Sequence, residues 1–351
     1  MGEVAESVDS HVGGHEYTYT EHAAISVEDL VKEYGSGESK VRAVDGVTFD
    51  IEQSTAVGIL GPNGAGKTTI IKSILSLVYP TSGTVRIHGR DVHHDQRAAH
   101  KRVGAMLEGA RNTYWRLTVR ENLEIFSVIG GLDYRSRKDR IDELLEQFNI
   151  AEKADTPVRE LSRGQKQKVS LAATMVKEPQ VIILDEPALG LDIESSLELR
   201  KELRRLVDQE GTTVLLCSHD MDVIQDVCER VIILNDGDIV ADDTVDRLLD
   251  IFNLKVYEVT VDGSLSERDC QRLESELTVE SFEHYHGQTT FRVQVPEDQF
   301  YCMVDSLKRL GVTVKSVESV EPDLEEVFLR ITDQKGTEEL PLAQQRNGGT
   351  L

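Results

Sequence analysis

The stretch Gly61-Pro62-Asn63-Gly64-Ala65-Gly66-Lys67-Thr68 restricts what this chain can fold into more than any other. It fits the pattern G-x-x-x-x-G-K-[ST], and it stands where that pattern has structural meaning. The apolar run Ala56 to Leu60 precedes it and an amphipathic segment follows. Strand, glycine-rich turn and helix in that order make a phosphate cradle. Glycines let the backbone turn tightly, N–H groups from about Gly64 to Thr69 point inward, and the helix offers its positive end. Lys67 is expected to reach the β- and γ-phosphates, Thr68 to ligate Mg²⁺, and Thr69 to bond near the α-phosphate. The expected ligand is ATP with Mg²⁺.

Further short apolar runs at Val181 to Leu184, Thr213 to Cys217 and Val231 to Leu234, separated by helical segments, predict a mainly parallel α/β sheet. The first of them ends in Asp185-Glu186-Pro187. Downstream of a P-loop, Asp185 reads as a partner of Mg²⁺ and Glu186 as the group that polarises water for attack on the γ-phosphate. Ahead of the P-loop, Ile25 to Tyr34 and Arg42 to Glu52 alternate as strands around a turn at Gly35 to Ser39, suggesting a small antiparallel sheet. Between Arg97 and Lys177 the period is mostly helical, clearest at Val119 to Ile129 and Arg137 to Phe148, and reads as a helical insertion. Beyond about residue 250 the order becomes strand, helix, two strands, helix, strand and a last helix at Leu324 to Ile331, the order of a ferredoxin-like α+β domain. The expected organisation is a mobile tail over 1–22, an ATPase domain over 23–250 with its insertion at about 97–177, an accessory domain over 251–333 and a polar tail over 334–351.

Between the P-loop and the carboxylate strand lies Leu161-Ser162-Arg163-Gly164-Gln165, and here the chain resembles the ABC-type ATPases, whose signature reads LSGGQ. Asp192 resembles their D-loop aspartate and His219 their switch histidine, and the order and spacing agree from about Ile25 to Leu249. The resemblance implies two nucleotide domains closing head to tail, so that Ser162 and Gly164, with Gln165, would meet the γ-phosphate held by the partner's Lys67. A homodimer or a dimer with a paralogue follows from it. Tyr34 occupies the position of the family's adenine-stacking aromatic. Glu108 stands where the family has a Q-loop glutamine and retains an oxygen for Mg²⁺ or water. Arg163 replaces the first glycine of the signature, so its side chain must turn away from the nucleotide or place a cation near it. Both departures resemble the single-domain ATPases that drive multidrug, polysaccharide or unassigned exporters, and Pro322-Asp323-Leu324-Glu325-Glu326-Val327-Phe328-Leu329 resembles the closing helix of that group's accessory domain.

Composition limits the alternatives. With 39 Lys plus Arg against 63 Asp plus Glu, the net charge is −24, which argues against broad binding to nucleic acid and suits a solvated surface in high salt. No apolar stretch approaches the ~18 residues of a membrane span, and no signal peptide is visible at the start. The expected location is cytoplasmic, peripheral on the inner face of the cell membrane, beside a polytopic membrane subunit encoded separately. A soluble ABC-type factor acting on ribosomes or DNA is the competing class. One P-loop, no heptad run and an acidic surface favour the transporter subunit. Four scattered cysteines read as reduced thiols, with Cys217 in a buried strand. His88, His93, His94 and His100 read as a solvated connection, and His11, His15 and His22 as part of the tail. The Arg135, Arg137, Arg204 and Arg205 side chains read as helix-surface charge.

Overall fold

Strict alternation along the central strands assigns their side chains to two cores, and this division organises the fold. The computed structural model describes residues 23–108, 112–251, 254–285, 287–296, 300–320, 324, 327, 328 and 331, so both expected tails lie outside it. Strands β1 (Ala23–Tyr34) and β2 (Val41–Glu52) pair antiparallel. After β3 (Ala56–Leu60) and the helix α1 (Lys67–Ile74), β4 (Ser82–Ile87) and β5 (Arg90–Asp91) join them in the order β2-β1-β4-β5. The short α2 (Gln96–Ala99) leads to β6 (Val103–Met106). The insertion helices α3 (Val119–Ile129), α4 (Lys138–Gln147) and α5 (Arg163–Met175) then precede β7 (Val181–Asp185). Helix α6 (Ile193–Asp208), β8 (Thr213–Cys217), α7 (Met221–Val227), β9 (Arg230–Asn235), β10 (Asp238–Thr244) and α8 (Val245–Ile251) complete the larger unit.

The six-stranded sheet runs β10-β9-β3-β8-β7-β6, parallel throughout except for β10 at its edge. Ala56, Leu60, Ile182, Leu184, Val214 and Leu216 face a core shared with the insertion helices. Their neighbours Val57, Ile59, Val181, Ile183, Leu215 and Cys217 face the opposite core, shared with α1 and the antiparallel sheet. One residue of slip would exchange every one of these faces, so the register is fixed by burial on both sides.

Strand β6 lies inside the span expected to be mostly helical, on the segment Val103 to Glu108 that the resemblance aligns with the family's Q-loop strand. Its four residues, with Gly104 and Ala105 at the centre, are too short for a period to show, and pairing with Val181 to Leu184 makes them a strand. The histidine segment also differs from expectation. It forms β5, α2 and a turn of 3₁₀-helix, His93 stacks on Tyr79 at 4.8 Å, and the buried ring nitrogens His88 Nε2 and His93 Nδ1 and Nε2 have no hydrogen-bond partner among the described residues. The arginines behave as surface charge: Arg137 pairs with Glu178, Arg204 with Asp226, and Arg205 with Glu202 and Glu210.

Beyond these, β11 (Leu254–Asp262), α9 (Glu267–Glu276), β12 (Thr278–Tyr285), β13 (Gln288–Pro296), α10 (Phe300–Leu310) and β14 (Val314–Val320) form an antiparallel sheet in the order β12-β13-β11-β14. The first strand is flanked by the third and fourth, with helices connecting in the split β-α-β manner. Its own core holds Val259, Val261, Leu273, Phe291, Val293 and Met303. The segment expected to close this domain packs elsewhere: Leu324, Val327, Phe328 and Ile331 belong to the core of the large sheet.

Candidate functional site

In a parallel sheet every strand delivers its C-terminal end to the same edge, and ligands gather there. Here β3 ends at the P-loop, β7 at Asp185 and Glu186, β8 at Ser218 and His219, and β6 at Leu107 and Glu108. A cavity of about 270 Å³ at that edge is lined by Asn63, Gly64, Ala65, Gly66, Lys67, Thr68, Thr69, Glu108, Asp185 and Glu186, together with Ala43 from β2. Gly61 immediately precedes it at the end of β3.

The cradle is shaped by backbone approach. Gly66 has φ +102°, and a Cβ there would meet the Ala43 carbonyl oxygen at 2.5 Å, so only glycine lets the loop turn into α1 against β2. With Gly66 as its N-cap, α1 starts at Lys67 with no side chain capping its first N–H groups, which leaves them for an anion. The Lys67 ammonium is nearly buried and donates to the Gly61 and Pro62 carbonyls at 2.5 and 3.1 Å.

The carboxylates occupy two environments. Asp185 is buried, and desolvation pushes its carboxyl above the usual range. Glu108 and Glu186 add in the same direction, while a hydrogen bond from the Cys217 thiol opposes it. Burial, with Asp185 beside it, pushes the Cys217 thiol far up, so it remains a neutral donor. Glu186 sits at φ +52°, its backbone N–H donating to the Cys217 carbonyl at 2.8 Å. Its Oε1 accepts from the His219 backbone N–H at 3.0 Å, its Oε2 accepts from Ser218 Oγ at 3.2 Å, and His219 Nδ1 lies 2.8 Å from that same oxygen. This carboxylate is therefore oriented by its neighbours while still lining the cavity. Thr68, Asp185 and Glu108 offer hard oxygen donors suited to Mg²⁺, and the stress on a desolvated Asp185 between two other carboxylates is what a divalent cation relieves. Among the described residues no group of three His, Cys, Asp or Glu makes a ready metal cage.

The signature lies apart from this cavity. Ser162 caps α5 in a reciprocal box with Gln165, the Ser162 hydroxyl accepting from the Gln165 N–H at 3.2 Å and the Gln165 side chain accepting from the Ser162 N–H at 3.0 Å. Gly164 is buried where a Cβ would collide with Ser195. Asp192 caps α6, and hydrogen bonds from the Ser195 N–H and hydroxyl hold its carboxyl below the usual range. The Arg163 guanidinium packs over Gly190, away from the P-loop cavity of its own chain. None of Ser162, Gly164, Gln165 and Asp192 lines the P-loop cavity, so within one chain the structure assembles only part of the expected set. Tyr34 ends β1, half exposed, with the Lys32 ammonium 5.0 Å from its ring centre, and is likewise outside the lining. Sequence reasoning missed Ala43 and Ser218, whose roles arise from strand neighbours and carry no local pattern.

A family model described as ABC transporter matches residues 44–189. The daunorubicin resistance ATP-binding protein DrrA2 of Streptomyces coeruleorubidus is 34% identical over 318 residues, covering 89% of this chain and 96% of the relative. A Nod factor export ATP-binding protein I of Burkholderia pseudomallei is 30% identical, covering 89% and 98%. Among solved structures, the dimeric post-hydrolysis state of an ATP-binding cassette bound to ADP and Pi superposes with a TM-score of 0.57 at 29% identity, over 63% of this chain and 98% of that one.

Proposed function

The chain belongs to the ABC transporter ATP-binding proteins and is an ATPase of that family, and on that premise we propose that it is the motor of an exporter, acting as a head-to-tail dimer on a separate membrane subunit. The observation that carries the reading is the division of its site. The P-loop, Asp185 and Glu186 converge on one cavity, with His219 bonded to Glu186 beside it, whereas Ser162, Gly164 and Gln165 stand on a helix that does not reach it. A second copy or a paralogue supplies the missing signature.

In this proposal the backbone N–H groups of Gly64 to Thr69 and the Lys67 ammonium hold the β- and γ-phosphates. Tyr34 stacks on adenine. Thr68 and Asp185, with Glu108, hold Mg²⁺. Bound there, the ion would supply charge neutralisation for the phosphate oxygens. Glu186 orients the attacking water and takes its proton, while His219 bonds the γ-phosphate. Asp192 of each chain lies at the dimer seam.

The link to a membrane partner runs through the segment after Glu108, which carries the exposed Tyr114 and Trp115, near α3 with its exposed Val128 and Ile129. Asn122 fixes this segment: its side chain accepts from the Tyr114 N–H at 2.6 Å and donates to the Tyr114 carbonyl at 3.1 Å. Large exposed aromatics on a rigid support are suited to anchoring a partner helix. Among the described residues no helix is long and apolar enough to cross a membrane, so the pathway is supplied by that partner, and the proposed location is the cytoplasmic face of the membrane. Export is favoured over import because the named relatives serve drug resistance and Nod factor export. Mild detergent extraction of the tagged chain should copurify a polytopic membrane protein that stimulates its ATPase activity. Recovery of ribosomes or DNA in place of a membrane protein would overturn the transport reading.

A further inference from the structure

Leu324, Val327, Phe328 and Ile331 are spaced at three, four and seven residues, the repeat of one helical face, and each is helical and at most 9% exposed. The accessory sheet that precedes them closes its own core without them. They instead share a buried cluster with Val223, Ile224 and Val227 of α7. The Leu324 backbone N–H donates to Gln225 Oε1 of α7 at 3.3 Å. Helix α7 begins two residues after His219, so Leu324 is anchored on the helix that directly follows the switch histidine.

Phe328 reaches past this anchor. A second cavity, of about 390 Å³, lies beside the P-loop and is lined by Pro62, Glu186, Leu189, His219, Met221 and Phe328, among others. The His219 side chain is 59% exposed, and its ring lies with Nδ1 2.8 Å from Glu186 Oε2. A ring held by so little depends on the walls around it for its orientation, and the hydrogen bond it makes strengthens as water is excluded.

We propose that Phe328 is a positioning residue for hydrolysis, its ring walling the cavity of Glu186 and His219 so that the segment following the accessory sheet sets the geometry of the attacking-water site. The proposal rests on the ATPase reading above. It makes the accessory domain a conformational input to hydrolysis: a shift of β14 relative to the large sheet pulls on Leu324, α7 and Phe328 together. Lys67 lines the P-loop cavity and not this one, so phosphate binding there is left unchanged.

The test uses the full chain and three readouts: affinity for a fluorescent ATP analogue, steady-state kcat and melting temperature. F328A should keep nucleotide affinity within about twofold while kcat falls about tenfold or more, and F328L should lose about threefold, a graded response to the size of the wall. L273A, in the accessory core, serves as the control for loss of stability away from the cavity, with a lower melting temperature and a smaller change in kcat than F328A. Should F328A not fold, F328L alone decides, by a fall in kcat at unchanged affinity. The inference is overturned if kcat is unchanged in the folded variants, or if affinity and kcat fall together in proportion to melting temperature as in L273A. Absence of ATPase activity from the wild-type chain would instead refute the functional reading on which the inference stands.

Discussion

Replacing Glu186 by Gln separates the chemistry from the fold more cleanly than any other single change at this site. The carboxylate accepts the His219 backbone N–H through Oε1 at 3.0 Å, and a glutamine oxygen in the same place keeps that bond. At the Oε2 position an amide N–H can donate to Ser218 Oγ, now 3.2 Å away, because a hydroxyl accepts as well as donates. The unusual φ of +52° at this residue is held by the backbone bond to the Cys217 carbonyl, which the substitution leaves alone. The stability cost should stay within about 1 kcal/mol, the net worth of one hydrogen bond. What disappears is the ability to take a proton from water. Loss of a general base lowers rate by about 10²- to 10⁴-fold, or about 3 to 5 kcal/mol of transition-state stabilisation. Steady-state phosphate release with Mg-ATP should therefore drop by at least about a hundredfold, while ATP binding persists and the ATP-bound dimer accumulates on size exclusion. Turnover within about twofold of wild type would show that another group takes the proton and that the assignment of Glu186 is wrong.

Lys67→Ala removes the buried ammonium facing the cradle and should weaken ATP binding by about 10- to 100-fold, the loss of one or two charge-assisted bonds at about 1.5 to 3 kcal/mol, read by titration with a fluorescent nucleotide. Unchanged affinity would place the phosphates elsewhere. Asp185→Asn tests the metal reading through stability. Folding raises the Asp185 pKa, mainly by desolvation, so ionised Asp185 destabilises the folded chain. That penalty is absent well below the unfolded carboxylate value of about 3.9, grows as pH rises past it, and is complete above the raised folded value. In EDTA the variant should thus melt higher than wild type at pH 7, the gain shrinking as pH falls toward 4, and the extra stabilisation by Mg-ATP over ATP alone should be lost. A lower melting temperature at pH 7 in EDTA would contradict this account of Asp185.

The parts of the site legible in sequence are those made of contiguous chain. The cradle is nine consecutive residues whose backbone does the binding, and Asp185-Glu186 and His219 each follow an apolar run whose length gives away the strand. Strand ends in a parallel sheet meet at one edge, so placing the strands was enough to bring these groups together. Contacts between distant segments were invisible. Ala43 reaches the P-loop only because β2 passes behind Gly66, and Ser218 matters only because its hydroxyl faces Glu186. Strand β10 carries Asp238, Asp242 and Asp243 and shows little apolar alternation. It is an edge strand held by its ladder to β9 and by Arg230, which donates to both carboxylate oxygens of Asp242 at 2.6 and 2.7 Å. The face at Leu324 to Ile331 was readable as a helical stripe, but a stripe does not say which core it covers, and here it covers the one beside His219.

The central claim is that each chain holds half of two composite sites, and it is tested most directly by mixing two inactive variants. Lys67→Ala lacks a working P-loop, and Ser162→Arg lacks a working signature. In the mixed dimer the intact P-loop of the second variant meets the intact signature of the first, giving one complete site. Random pairing makes about half of all dimers mixed, each with one of two sites restored, so ATPase activity should return to about a quarter of wild type. A mixture that stays at the level of the two variants alone, although both fold and dimerise, would contradict the composite site.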